Sequence, residues 1–190
     1  MERSLLIRSL PNIITIARLF LVPVVVALIA AQAWRGAFAC FLVAGASDGI
    51  DGWIARRFDL RTELGAYLDP LADKALLISI YVSLALLGLL PASLVFLVVF
   101  RDLMIISGIV VSWGLDRPVQ IRPLLISKAN TAAQIAFAGL ALAMQAFHLN
   151  IGAWSNVFMG IVAALTLASA AAYLSQWFRH MSDMDLQPKP

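Results

Sequence analysis

The sequence predicts an all-α integral membrane protein: six transmembrane helices preceded by a short amphipathic interfacial helix. Three observations carry this. Of 190 residues, 62% are hydrophobic and 13% charged, and the mean hydropathy is +0.89; a soluble domain could not hide so much apolar surface. The apolar residues fall into six runs, at about 13–31, 35–56, 65–87, 92–113, 127–147 and 153–177, each near the roughly 20 residues needed to span a bilayer. Ten of the fourteen Lys and Arg (3, 8, 56, 57, 61, 117, 122, 128, 179 and 189) fall in segments that share one side of the membrane, and only Arg35 lies on the other. That bias sets both termini on the cytoplasmic side.

The elements follow in chain order. Residues 1–11 pair Leu5, Leu6, Ile7 and Leu10 with Arg3 and Arg8, the pattern of a helix lying on the inner leaflet. The first apolar run ends at Ala31-Gln32-Ala33, which mimics a signal cleavage site. It is too long for a signal core and contains Arg18 and Pro23, so it reads as a retained span. Outside connections are short and uncharged (Gly88-Leu89-Leu90-Pro91, and His148-Leu149-Asn150 before Ile151-Gly152), whereas the inside ones, 57–64 and 114–126, are longer and basic. Trp34, Trp113, Trp154 and Trp177 lie near span ends, as an aromatic belt would. The tail, 182–190, is polar and proline-bearing and is expected to be disordered. Little sequence is left over, so residues 1–190 read as one domain. Cys40 is the only cysteine, which excludes an intramolecular disulfide. In so apolar a chain a net charge of +3 points to basic loops meeting anionic lipid rather than to nucleic acid.

Inside this apolar sequence stands Asp48-x-x-Asp51-Gly52-x-x-Ala55-Arg56, then, after eight residues, Gly65-x-x-x-Asp69-x-x-x-Asp73. Residues three and four apart share a helix face, so each aspartate pair projects from one side of its span. The short 57–64 connection makes the two spans antiparallel neighbours, and the four carboxylates converge near the cytoplasmic surface. Ionised groups at membrane depth persist where they face a cavity, a cation or one another. An all-oxygen donor set points to a hard divalent cation, magnesium or manganese. Gly49, Gly52 and Gly65 leave the backbone open to close approach. Four aspartates exceed what structural ion pairs with Arg56, Lys74 and Arg101 require. A divalent cation transporter is a further reading, but such sites usually lie near the membrane midplane.

All eight specified positions of this pattern resemble the signature of the CDP-alcohol phosphatidyltransferase family, and Pro11-Asn12-Ile13-Ile14-Thr15-x-x-Arg18 is similar to the family's opening segment. The resemblance implies transfer of the phosphatidyl group of CDP-diacylglycerol to an alcohol with release of CMP, in a six-span homodimer. It implies that Asp48, Asp51, Asp69 and Asp73 hold one or two magnesium or manganese ions, and that Asp73 also serves as general base on the acceptor hydroxyl. Asp48, Gly52, Ala55, Arg56 and Gly65 would line the CDP site, and Asn12 and Thr15 would contact the nucleotide. Two metals can neutralise a diphosphate and its departing phosphate, so the chemistry and the resemblance agree.

The acceptor is read from a third cluster. Ile126-Ser127-Lys128-Ala129-Asn130-Thr131-Ala132-Ala133-Gln134, Leu68-Asp69-Pro70-Leu71-Ala72-Asp73-Lys74 and Arg101-Asp102 resemble the eukaryotic-type cardiolipin synthase branch of the family. Phosphatidylglycerophosphate synthases carry a longer Ser-Lys-x-Gly-Lys-x-Lys-Thr stretch here, whose extra cations suit the dianion glycerol 3-phosphate. The expectation is therefore phosphatidylglycerol as acceptor and cardiolipin as product, with glycerol 3-phosphate the alternative. Arg101, Lys128 and Arg18 are the candidate acceptor-binding residues. A start without a transit-like extension favours a bacterial inner membrane over a mitochondrial one.

Overall fold

The computed structural model describes residues 2–57, 63–114 and 125–185, with side chains over 15–50, 57, 72–107 and 125–178. Within them the chain is six helices: α1 (Glu2–Ala30), α2 (Trp34–Arg57), α3 (Glu63–Leu86), α4 (Ala92–Gly114), α5 (Leu125–Phe147) and α6 (Trp154–Asp185). Most of the inside connections 57–64 and 114–126 lie outside the described residues.

Two ends differ from the sequence expectation. The interfacial helix expected over residues 1–11 is not separate, because α1 runs unbroken from Glu2 through Pro11 to Ala30. Proline removes one backbone donor, but no glycine or left-handed cap precedes it to end the helix. At the other end α6 reaches Asp185, so residues 182–185 are helical, and 186–190 lie outside the described residues.

Three helices end in the same way. Gln32, Gly88 and His148 adopt left-handed backbone, with φ of 55°, 73° and 53°. Beyond each, an amide reaches back five residues: Ala33 to the Leu28 carbonyl at 2.8 Å, Leu89 to Leu84 at 2.9 Å and Leu149 to Met144 at 2.9 Å. This Schellman closure satisfies the last carbonyls and turns the chain within a few residues. Glycine adopts that backbone freely at position 88, whereas Gln32 and His148 hold it as non-glycine residues.

The helices form two compact units, one of Met1–Leu90 with Ala138–Ile151, the other of Pro91–Phe137 with Gly152–Pro190. In the first, α1 packs against both α2 and α3. Its core is built from stripes at helical spacing: Val25 and Ile29 on α1, Ala37, Phe41 and Ala44 on α2, and Leu77, Ile80 and Leu84 on α3. The later part of α5 adds Ala138, Leu142 and Ala146. Gly139 lets α5 close on α2, since a Cβ there would lie 2.9 Å from the Phe41 ring. In the second unit α4 packs against α6, and Leu94, Val95, Val98, Phe137 and Val162 form the apolar part of its core.

Large apolar side chains elsewhere stand outward, among them Phe20, Leu86, Phe96, Leu103, Leu125 and Trp154. So much exposed hydrocarbon is uncharacteristic of a soluble monomer. Among the described residues, Trp154–Phe178 is long and apolar enough to cross a membrane, and Thr15–Ala30 is a shorter apolar helix.

Candidate active site

Each core stripe of the first unit turns polar as it continues along its helix. On α1 the face of Val25 and Ile29 continues back to Arg18 and Thr15, which are 1% and 2% exposed. On α2 the face of Ala37, Phe41 and Ala44 continues to Asp48, and on α3 that of Leu84, Ile80 and Leu77 continues back to Asp73. Hydrophobic packing thus brings three charged side chains together. A single guanidinium nitrogen, Arg18 Nη1, donates to Asp48 Oδ1 at 2.7 Å and to Asp73 Oδ1 at 2.5 Å. The arginine is buried, whereas both carboxylates are 46% exposed. Beside Asp48, a Cβ built on Gly49 would meet nothing within 4 Å, so that flank is open.

These residues suit a divalent ion. The two Oδ1 atoms lie within about 5.2 Å of each other, the 2.7 and 2.5 Å contacts laid end to end. Ligands on opposite sides of a magnesium ion stand roughly 4.2 Å apart, twice a bond of about 2.1 Å. Each carboxylate also has a second oxygen. Asp51 lies in α2 and Asp69 in α3, but their side chains, like those of Asn12, Gly52, Ala55, Arg56 and Gly65, are outside the described residues. Among the described residues no three His, Cys, Asp or Glu gather into a metal-sized group.

Arg18, a candidate acceptor-binding residue from the sequence, stands against the two motif aspartates. Register places it there: the α1 face that buries Val25 and Ile29 also carries position 18.

The second unit holds the other candidate cation. Arg101, 2% exposed, donates from Nη1 to Asp102 Oδ1 at 2.6 Å, from Nη2 to Ser127 Oγ at 2.5 Å and to Ser169 Oγ at 2.7 Å, and from Nε to Ser169 Oγ at 3.2 Å. Its guanidinium carbon lies 5.6 Å from the Tyr173 ring centre. Four of its five N–H groups are therefore engaged by the described residues. One turn along α5, Asn130 Oδ1 lies 2.9 Å from Thr166 Oγ1, and Gln134 Nε2 donates to the same hydroxyl at 3.3 Å. Thr166 has one proton, also within reach of the Val162 carbonyl at 2.7 Å, so the two acceptors share it. Asn130 Nδ2 is buried with no partner among the described residues. Lys128 is exposed.

The α6 contributors, Thr166, Ser169 and Tyr173, were missed by sequence reasoning. Their spacing of three and four along an otherwise apolar helix was the available signal. The carboxylate that answers Arg101 is its chain neighbour Asp102.

Comparison with known proteins matches residues 8–170 to the CDP-alcohol phosphatidyltransferase family. The chain belongs to that family. It is 32% identical over 181 residues to a human protein named cardiolipin synthase (CMP-forming), covering 87% of this chain and 60% of that one. It is 34% identical over 183 residues to the rice chloroplastic CDP-diacylglycerol–glycerol-3-phosphate 3-phosphatidyltransferase 1, covering 87% of this chain and 56% of that one. A Bacillus subtilis CDP-diacylglycerol–glycerol-3-phosphate 3-phosphatidyltransferase is 29% identical over 185 residues, covering 88% of this chain and 94% of that one. The chain thus spans little more than half the length of the human and rice relatives.

Proposed function

We propose that this protein is a membrane-embedded phosphatidyltransferase that moves the phosphatidyl group of CDP-diacylglycerol to the hydroxyl of phosphatidylglycerol, forming cardiolipin and releasing CMP. The observation that carries the reading is the meeting of Asp48 and Asp73, from two different helices, at one guanidinium nitrogen, in a chain that holds all eight positions of the family pattern.

In the reaction the acceptor oxygen forms a bond to the phosphatidyl phosphorus while the bond from that phosphorus to the CMP oxygen breaks. Asp73 takes the hydroxyl proton, and CMP leaves with the electron pair. Asp48, Asp51, Asp69 and Asp73 would hold one or two magnesium or manganese ions, which supply positive charge to the diphosphate and the departing phosphate. Gly52, Ala55, Arg56, Gly65, Asn12 and Thr15 form the nucleotide side. Lys128, exposed at the start of α5, meets the acceptor phosphate. Arg101 supports the same end of α5 through Ser127, with one N–H left to reach the acceptor. Six spans hold both termini and the site at the cytoplasmic face of a bacterial inner membrane, so the acyl chains of both lipids stay in hydrocarbon.

Similarity divides between relatives named for cardiolipin synthesis and for glycerol 3-phosphate transfer. The acceptor therefore rests on the Ser127-to-Gln134 stretch, which lacks the extra lysines that suit a free dianion. The deciding assay offers the purified protein CDP-diacylglycerol with manganese and, in turn, phosphatidylglycerol, glycerol 3-phosphate, inositol phosphate or serine, and follows CMP. Release with phosphatidylglycerol is expected. Release with glycerol 3-phosphate alone would transfer the assignment to phosphatidylglycerophosphate synthesis, and silence with every alcohol would end the enzyme reading.

A further inference from the structure

The geometry around Arg18 points to a second role for this side chain, distinct from substrate contact. We propose that Arg18 is the resident counterion of the carboxylate site: it balances Asp48 and Asp73 while no metal is bound, and it competes with the metal for them. The inference rests on the reading that these aspartates hold a divalent cation.

Three observations support it. Both hydrogens of Nη1 are directed at carboxylates, one to Asp48 and one to Asp73, so this nitrogen already sits where cationic charge is wanted. The arginine is 1% exposed and its two partners 46%. It therefore approaches from the protein side and leaves the open side of the carboxylates to an incoming ion. Its stem lies on the α1 face that packs Val25 and Ile29, which fixes its reach. Without a cation the two aspartates, a few ångströms apart, would repel one another. With a divalent ion on the same carboxylates, a guanidinium a few ångströms away repels it and occupies lone pairs the ion would use. The consequence is a site that is tolerably stable empty and binds free metal only weakly. Full loading then waits for the negative diphosphate of the donor, which offsets the surplus positive charge.

The test measures metal binding without turnover. Free manganese is followed by electron paramagnetic resonance as it is titrated into the detergent-purified protein. Arg18→Gln is expected to bind manganese about tenfold more tightly than the wild type, and manganese should raise its melting temperature by more than it raises that of the wild type. Arg18→Lys, which keeps the charge, should stay within about threefold of the wild type. Equal or weaker binding by Arg18→Gln overturns the proposal, as does tightening by Arg18→Lys as large as that by Arg18→Gln. If Arg18→Gln unfolds in chelator, added manganese is expected to restore it, since the ion replaces the missing charge; failure to restore it also overturns the proposal. A wild type that binds no manganese would instead remove the metal reading beneath it.

Discussion

Among the described residues two arginines are buried, and they are buried for different ends. Arg18 is shared by two carboxylates from two other helices, and both remain 46% exposed. Arg101 is paired with its own neighbour Asp102, with both side chains 3% exposed, and is further bound by hydroxyls from α5 and α6. A charge whose counter-charges are open can exchange them for a ligand, whereas one whose counter-charges are sealed first of all holds structure. Breaking the first set should therefore harm chemistry, and breaking the second should harm folding.

The largest effect is expected at Asp73. Asp73→Asn keeps size and shape but removes the proposed base and metal ligand, and should lower CMP release by about a thousandfold or more. Melting in detergent should shift little, because the group is half exposed. A rate near the native one would exclude Asp73 from the mechanism.

Arg101→Met reverses the pattern. It removes the guanidinium paired with the buried Asp102 carboxylate, and loss of one partner of a buried ion pair costs about 3–5 kcal/mol. Chemical unfolding in micelles should register that loss, and a variant as stable as the wild type would show that the second unit does not depend on this pair.

Thr166→Val leaves Asn130 and Gln134 without their shared hydroxyl, so a loss of roughly 1 kcal/mol is expected. The smallest effect belongs to Gly49→Ala. Its new Cβ meets no protein atom within 4 Å, so stability should hold within about 0.5 kcal/mol. A raised KM for CDP-diacylglycerol would then mark the open flank as donor space, and an unchanged KM would place the donor elsewhere.

The helices were largely legible because membrane-depth hydropathy is a strong signal over some 20 residues. The bounds of α2 to α5 fall within two residues of the sequence runs. The exceptions have a physical cause: ends without a glycine, such as residues 1–11, carry no local stop, and a polar tail can extend a helix by a turn, as at Asp185. The candidate aspartates were legible for the opposite reason, since a charge in apolar sequence is conspicuous. Which group answers them was not. Arg18 is 30 residues from Asp48 and 55 from Asp73, and periodicity gives faces, not partners. The hydroxyls of Thr166 and Ser169 were harder still, because they barely lower the hydropathy of α6 and become meaningful only opposite Asn130 and Arg101.

The abrupt reversals at Gln32 and Gly88 carry one more implication for the first unit. They lie about 20 Å along the helices from Arg18, Asp48 and Asp73 at a rise of about 1.5 Å per residue, and each spans only a few residues. No long loop at those ends could be lengthened or redecorated to accommodate a new alcohol. Diversification of such a scaffold must instead proceed by exchanging side chains on the helix walls or at their opposite ends, where every change also perturbs the packing that keeps the acids together.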